Sequence, residues 1–292
     1  MIENRGKDKV FNWVILILMG LYAFVTLLPL LHVLANSFSS ADAVNRGAVG
    51  LWPVEFSLES YARVFREESI LRGYMNTLIY TAVGTVLQLV LQFTAAYPLS
   101  RRDLKGRNFF SFYFVLTMFI NGGLIPTYLV VKALGMLNTR WAMIIPGCVG
   151  IYNLIIIRTY ITSSIPWELQ EAAMIDGCSN VRLFWSIVLP LCKPILAVMT
   201  LYAIVGYWNA YFNSLMYMWN DDLYPLQRVL QNILIANDTG NIGGSIGSGE
   251  QALLSESLKY VTIVVSSAPI LFLYPFFQRF FEKGLMVGGV KG

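Results

Sequence analysis

Two carboxylates set three residues apart, Glu168 and Glu171, stand in the run Pro166-Trp167-Glu168-Leu169-Gln170-Glu171-Ala172-Ala173-Met174-Ile175-Asp176-Gly177. Helical residues three apart project from one face, so the pair makes an acidic edge that suits a basic group on another protein. The small Ala172 and Ala173 behind it permit close approach. The same composition also suits an amphipathic helix lying at a membrane interface, and the residues alone leave both readings standing. A second cluster is amide and aromatic: Tyr202, Tyr207, Trp208, Asn209, Tyr211, Phe212 and Asn213. Positions 202, 206, 209 and 213 follow at helical steps, which places Tyr202, Asn209 and Asn213 on one face with Gly206 between them. Such a stripe offers hydrogen bonds to sugar hydroxyls and flat rings to sugar C–H faces. Equally, Asn binds transmembrane helices to one another, and Tyr and Trp mark the headgroup level. Catalytic patterns are missing: there is no Walker-type phosphate loop, no His-Glu metal motif and no nucleophile with a base nearby. Cys148, Cys178 and Cys192 are odd in number and lack metal-ligand spacing, so neither a disulfide framework nor a zinc site is expected.

These clusters need elements to hold them, and the composition says what kind. Of 292 residues, 56% are hydrophobic and only 13% charged, about half the charged fraction of an ordinary soluble domain. An all-α integral membrane protein follows. Stretches of about 20 apolar residues mark six spans near 11–35, 74–99, 109–131, 141–161, 190–215 and 258–282, in a single domain over 1–292. The first, uncharged from Val10 to Leu31, is longer than the apolar core of a signal peptide and is read as a retained span. Gln88, Gln92, Asn121 and Asn153 inside the spans read as helix-packing residues.

Orientation follows from Lys and Arg. With both termini inside, the inner segments carry thirteen basic residues and the outer ones eight, a moderate positive-inside bias. The 162–189 connection then lies in the cytoplasm. Acids complement the start of its helix, Gly177 suits a left-handed ending, Ser179 caps a second stretch, and Pro190 and Pro194 turn the chain into span five. A compact helix–turn–helix is expected there. The central parts of the spans contain no Asp, Glu, Lys or Arg, which weakens readings as an ion-coupled carrier or an ion pore.

The loop spacing Glu171-Ala172-Ala173, three residues, Gly177, nine residues, Ile187, one residue, Leu189-Pro190 resembles the signature of permease subunits of binding-protein-dependent ABC importers, and Asp176 and Phe184 agree with it. The run Met118 to Tyr128, Trp208-Asn209, Leu226-Gln227 and the tail Gly288 to Gly292 resemble the carbohydrate-uptake branch, with maltose- and alginate-type oligosaccharide importers. The resemblance implies a type I permease fold whose coupling helix, carrying Glu168, Glu171, Ala172, Ala173, Asp176 and Gly177, seats in a cytoplasmic ATPase. It implies a tail, with Gly289 and Lys291, reaching the same ATPase pair. A homologous second permease in a heterodimer, an extracytoplasmic solute-binding protein and an oligosaccharide cargo are implied as partners, in a bacterial cytoplasmic membrane. Tyr202, Trp208, Asn209 and Asn213 become the expected substrate path. No cofactor is expected on this chain, since ATP and magnesium would be used by the partner ATPase; it is expected not to be an enzyme and not to bind nucleic acid.

Overall fold

The fold is that of a computed structural model describing residues 6–242 and 249–288, with side chains placed for 9–233, 235 and 257–278. Among the described residues there is no strand, only one isolated antiparallel bridge between Ser39 and Phe56. The chain divides into two compact units. One takes in the chain up to Ile70 together with Leu230–Ala268; the other comprises Leu71–Val229 and the chain from Pro269.

In the first unit, α1 (Gly6–Ser37) exposes apolar side chains such as Phe11, Trp13, Leu16, Met19 and Phe24. Water would not tolerate such a surface, and lipid or another apolar helix must cover it. The chain then folds through α2 (Ala41–Asn45), where the Ser40 hydroxyl accepts from Ala43 N, and α3 (Glu59–Arg66). A small core of Ala35, Ala43, Val44 and Val49 ties these turns to the end of α1. Glu55 is held below the usual carboxylate range by hydrogen bonds from Ser40 and Arg46.

The second unit is organised around α4 (Glu68–Ser100) from Leu71 onward. Thr77, Thr81, Thr85, Gln88 and Gln92 are all buried along it, which places the two glutamines inside the helix packing as their sequence context suggests. α5 (Arg107–Phe119) and α6 (Leu124–Ala133) follow, then α7 (Trp141–Ile144), α8 (Ile151–Ser164), α9 (Trp167–Ile175) and α10 (Asn180–Leu183). A π-turn over Phe184–Val188 leads through α11 (Leu189–Leu191) to α12 (Lys193–Trp208) and α13 (Phe212–Tyr217). α14 (Leu226–Ile242) and α15 (Gly249–Gly288) complete the described helices. The core of this unit gathers Phe93, Tyr97, Leu154, Ile157, Ile161, Leu183, Phe184, Val188, Cys192 and Met199.

Among the described residues three helices are long and apolar enough to cross a bilayer, Lys9–Ser37, Glu68–Ser100 and Ser257–Gln278, and they coincide with the first, second and last expected spans. The others differ from simple rods. The stretch 109–131 is α5 and α6 bent by 113°. The break falls at Asn121–Gly123, where the Asn121 carbonyl oxygen Oδ1 accepts from Gly123 N at 2.8 Å. The 190–215 stretch meets the preceding loop through an 82° bend, with Cys192 between α11 and α12. The 141–161 stretch, expected as one helix, is two pieces: Pro146-Gly147 interrupts it, and the fourteen residues of α8 span roughly 21 Å, short of the bilayer core. The Tyr207 hydroxyl donates to the freed Ile144 carbonyl at 2.9 Å, so the break is satisfied from within the protein, as irregular backbone at membrane depth must be.

Candidate functional site

The 166–188 loop folds as the helix–turn–helix its residues prescribe. Pro166 stands at the N-cap of α9, where the absent N–H costs nothing. The helix ends in a Schellman arrangement: Gly177 takes φ +77°, its N–H donates to Met174 O at 3.0 Å, and Cys178 N donates to Ala173 O at 2.9 Å. Only a residue without a Cβ adopts that backbone without strain. Ser179 then caps α10, its hydroxyl accepting from Arg182 N at 3.4 Å. Both ends of the turn are thus closed by local hydrogen bonds, and the acidic helix is presented on a stiff support.

The two sides of α9 differ sharply. Gln170 is buried, and Ala173 is half-buried against the core that contains Leu183 and Phe184. Glu168, Leu169, Glu171, Ala172, Ile175, Asp176 and Gly177 are exposed. Five of the six coupling residues named from sequence therefore share the open side, and Ala173 is instead the inward contact. Ile175, 87% exposed, adds an apolar knob beside the acids that sequence reading did not single out. The Glu171 carboxylate accepts from the Trp167 indole N–H at 2.5 Å, which restrains it one turn from its neighbour.

Sequence reading also missed what holds α9 in place. Arg101, at the end of α4, has only 6% of its side chain exposed. Its Nε and Nη2 donate to the two Asp103 carboxylate oxygens at 2.8 and 2.5 Å, and Nη1 donates to the Tyr97 hydroxyl at 3.1 Å. The guanidinium lies 5.5 Å from the centre of the Trp167 ring and 5.8 Å from that of Tyr97, and Nη2 reaches Met174 Sδ at 3.1 Å. Tyr97 in turn packs on Phe184 with ring centres 5.1 Å apart. The Arg101 guanidinium holds the Asp103 carboxyl below the usual carboxylate range. In the sequence Arg101 registered only as one charge in the positive-inside count; a Tyr four residues before it at the end of a long apolar run was the available signal.

The second cluster is only partly a stripe. Tyr202 and Gly206 on α12 and Asn209 at its C-cap are exposed, with Asn209 Nδ2 donating to Val205 O at 2.9 Å. The helix stops at Trp208, so Asn213 belongs to the separate α13 and does not continue the face. Trp208 is buried, edge-on to Tyr74 at 6.0 Å, and packs the helix rather than lining the stripe. Gly289 and Lys291 lie outside the described residues. Among the described residues no cluster of His, Cys, Asp and Glu has the makings of a metal site.

Proteins similar to this chain are known along its whole length. The chain belongs to the family of binding-protein-dependent transport system inner membrane components, whose pattern matches residues 2–287. Across its full length it is 39% identical to protein LplC of Bacillus subtilis (strain 168), covering 98% of that protein. It is 38% identical to the polygalacturonan/rhamnogalacturonan transport system permease protein YtcP of the same organism, over 98% of this chain and 100% of that one. Among solved structures it resembles a chain of a bacterial ABC transporter involved in the import of the acidic polysaccharide alginate. That match has a TM-score of 0.86 and 31% identity, and covers 95% of this chain and 98% of the other.

Proposed function

We propose that this chain is one of two membrane subunits of an ATP-driven importer that moves an oligosaccharide delivered by an extracytoplasmic solute-binding protein. The observation that supports this reading best is the free acidic side of α9, with Glu168, Glu171, Ala172, Asp176 and Gly177 open and the opposite side anchored, in a chain that matches sugar permeases end to end. In this reading both termini are cytoplasmic and α9 is the coupling helix. A pair of separate ATPase subunits, using ATP and magnesium, grips it, with Gly289 and Lys291 reaching toward the same pair. A homologous second permease, a different chain, completes the path. Tyr202 and Asn209 face the sugar, with Gly206 leaving room between them; Asn213 lies further along and Trp208 supports the wall from behind.

The chemistry of this chain is mechanical. A ligand shifts a conformational balance only by its differential affinity for the two states, so ATP must favour one arrangement of the spans through the contact at α9. The test is Glu171→Lys in the assembled complex. The variant is expected to reach the membrane at the normal level but to lose the ATPase on purification, or to keep it with ATP-driven uptake at least tenfold lower. Normal uptake with a normal complement of ATPase would refute the role given to α9.

A further inference from the structure

The Arg101 cluster has a feature that anchoring alone does not require. A guanidinium removed from water needs its donors and its charge matched, and Arg101 draws those matches from two elements at once. Asp103 and Tyr97 come from the end of α4 and the turn after it, whereas Trp167 and Met174 come from α9, 66 and 73 positions further along the chain. The neighbouring Arg102 also stands over the Trp167 ring, at 5.9 Å. The aromatic ring so engaged is the one whose N–H restrains Glu171. A continuous set of contacts therefore runs from the exposed carboxylate through Trp167 and Arg101 to a 33-residue helix.

We propose that Arg101 is a positioning residue whose guanidinium, clasped between Trp167 and Tyr97, fixes α9 to the end of α4 so that a displacement of α9 is delivered to that helix instead of being absorbed in the loop. The proposal rests on the reading of α9 as the coupling helix. It depends on the planar, stacking character of the group as much as on its charge, because a lysine ammonium has neither the fork that meets Asp103 nor the flat face that lies on two rings.

The experiment uses the purified complex in lipid nanodiscs, with Cys148, Cys178 and Cys192 replaced and spin labels placed at Thr94 on α4 and at Val181 on α10, which the closed turn at Gly177 joins to α9, both exposed. Distances are recorded without nucleotide and after trapping with ATP and vanadate. With Arg101 present the label-to-label distribution is expected to stay narrow in both states. Arg101→Lys is expected to broaden it at least twofold in the trapped state, with the ATPase still retained in normal proportion. Asp103→Asn, which leaves the guanidinium and removes only its counter-charge, is expected to give an intermediate width and serves if the lysine variant fails to assemble. Unchanged narrow distributions in the variants, or loss of the ATPase in both, would overturn the proposal, the latter outcome making Arg101 a folding or docking residue. If the unaltered chain itself retains no ATPase, the coupling-helix reading falls and takes this one with it; retention together with indifference to Arg101 sinks the clamp alone.

Discussion

Replacing Gly84 by alanine tests the packing that joins α4 to α12. An ideal Cβ at Gly84 falls 2.5 Å from Cζ of Tyr207, 2.6 Å from Cε1 and 2.7 Å from Cε2, whereas carbon atoms in contact sit about 3.5–4.0 Å apart. The ring must retreat by about 1 Å. It is buried, and its hydroxyl is committed to Ile144 O at 2.9 Å, a bond that a shift of this size stretches past the useful range. Overpacking costs about 1–3 kcal/mol, a carbonyl left without its donor adds about 1–3 kcal/mol, and the better helix propensity of alanine returns about 1 kcal/mol. The net loss is about 3 kcal/mol at the centre of these ranges, or roughly 6–12 °C in Tm at about 2–4 °C per kcal/mol.

Thermal unfolding of the purified chain in one detergent, wild type against Gly84→Ala, reads this directly. Gly206→Ala is the internal control, because nothing lies within 4 Å of a Cβ there and the same chemical change is expected to leave Tm level or slightly raised. Tyr207→Leu combined with Gly84→Ala is expected to lose less than the two single changes added together, since the smaller side chain removes the collision. A Gly84→Ala variant within about 2 °C of wild type, or strict additivity in the pair, would refute the close approach.

Asn138 takes φ +56°, and its Oδ1 accepts from Trp219 N at 3.2 Å and Asn220 N at 3.0 Å. Asn138→Ala is expected to cost about 1–3 kcal/mol from the strained backbone, the exposed N–H groups of Trp219 and Asn220 passing to water, with faster proteolysis at 218–225 as the check. Tyr202 is exposed and away from the core, so Tyr202→Ala is expected to lower uptake with Tm unchanged; a fall in Tm equal to that of Gly84→Ala would show it to be a packing residue. Asp103 has a depressed pKa in the folded chain, caused first by the Arg101 hydrogen bonds. Its pairing therefore supports the fold above the unfolded carboxyl value of about 3.9 and is lost as pH falls through the lower folded value. The Tm gap between wild type and Asp103→Asn is expected to stay constant from pH 8 to about 5 and to close below about 4; a gap that closes at neutral pH would contradict it.

The parts of the fold that could be read from the sequence are those decided locally. α1, α4 and the 257–278 stretch are long apolar runs, and the α9–α10 turn carries its own caps in Pro166, Gly177 and Ser179. The breaks at 120–123 and 145–150 were not legible, because an apolar count registers Asn121-Gly122-Gly123 and Pro146-Gly147 as passing interruptions. Whether a helix stops there depends on a partner for the freed backbone, and for Ile144 that partner is Tyr207, 63 residues away. The face shared by Tyr202 and Asn209 followed from helical spacing, but Asn213 did not stay on it once the helix ended at Trp208. Glu168, Glu171 and Ala172 stand on the open side that the acidic edge suggests, whereas Ala173 turns inward. Its clamp was not, since a charge count assigns Arg101 to the membrane interface without saying which ring it will lie on.

α4 carries charged contacts at its two ends and only uncharged amides and hydroxyls between them. Near its start Arg72 pairs with Asp222, and Asn76 Nδ2 donates to the carbonyls of Asp222 and Tyr224. At its finish Arg101 joins Asp103 and Trp167. Between them the helix carries no charge and is indexed to α12 by the notch at Gly84. At 33 residues it is about 50 Å long, enough to place one clamp beyond each face of the hydrocarbon. A charge midway would have to be desolvated in every state, at a cost of several kcal/mol; charges at the ends keep access to water and grip the connecting segments. An element built in this way suits transmission of displacement along its axis rather than relay of an ion through its middle.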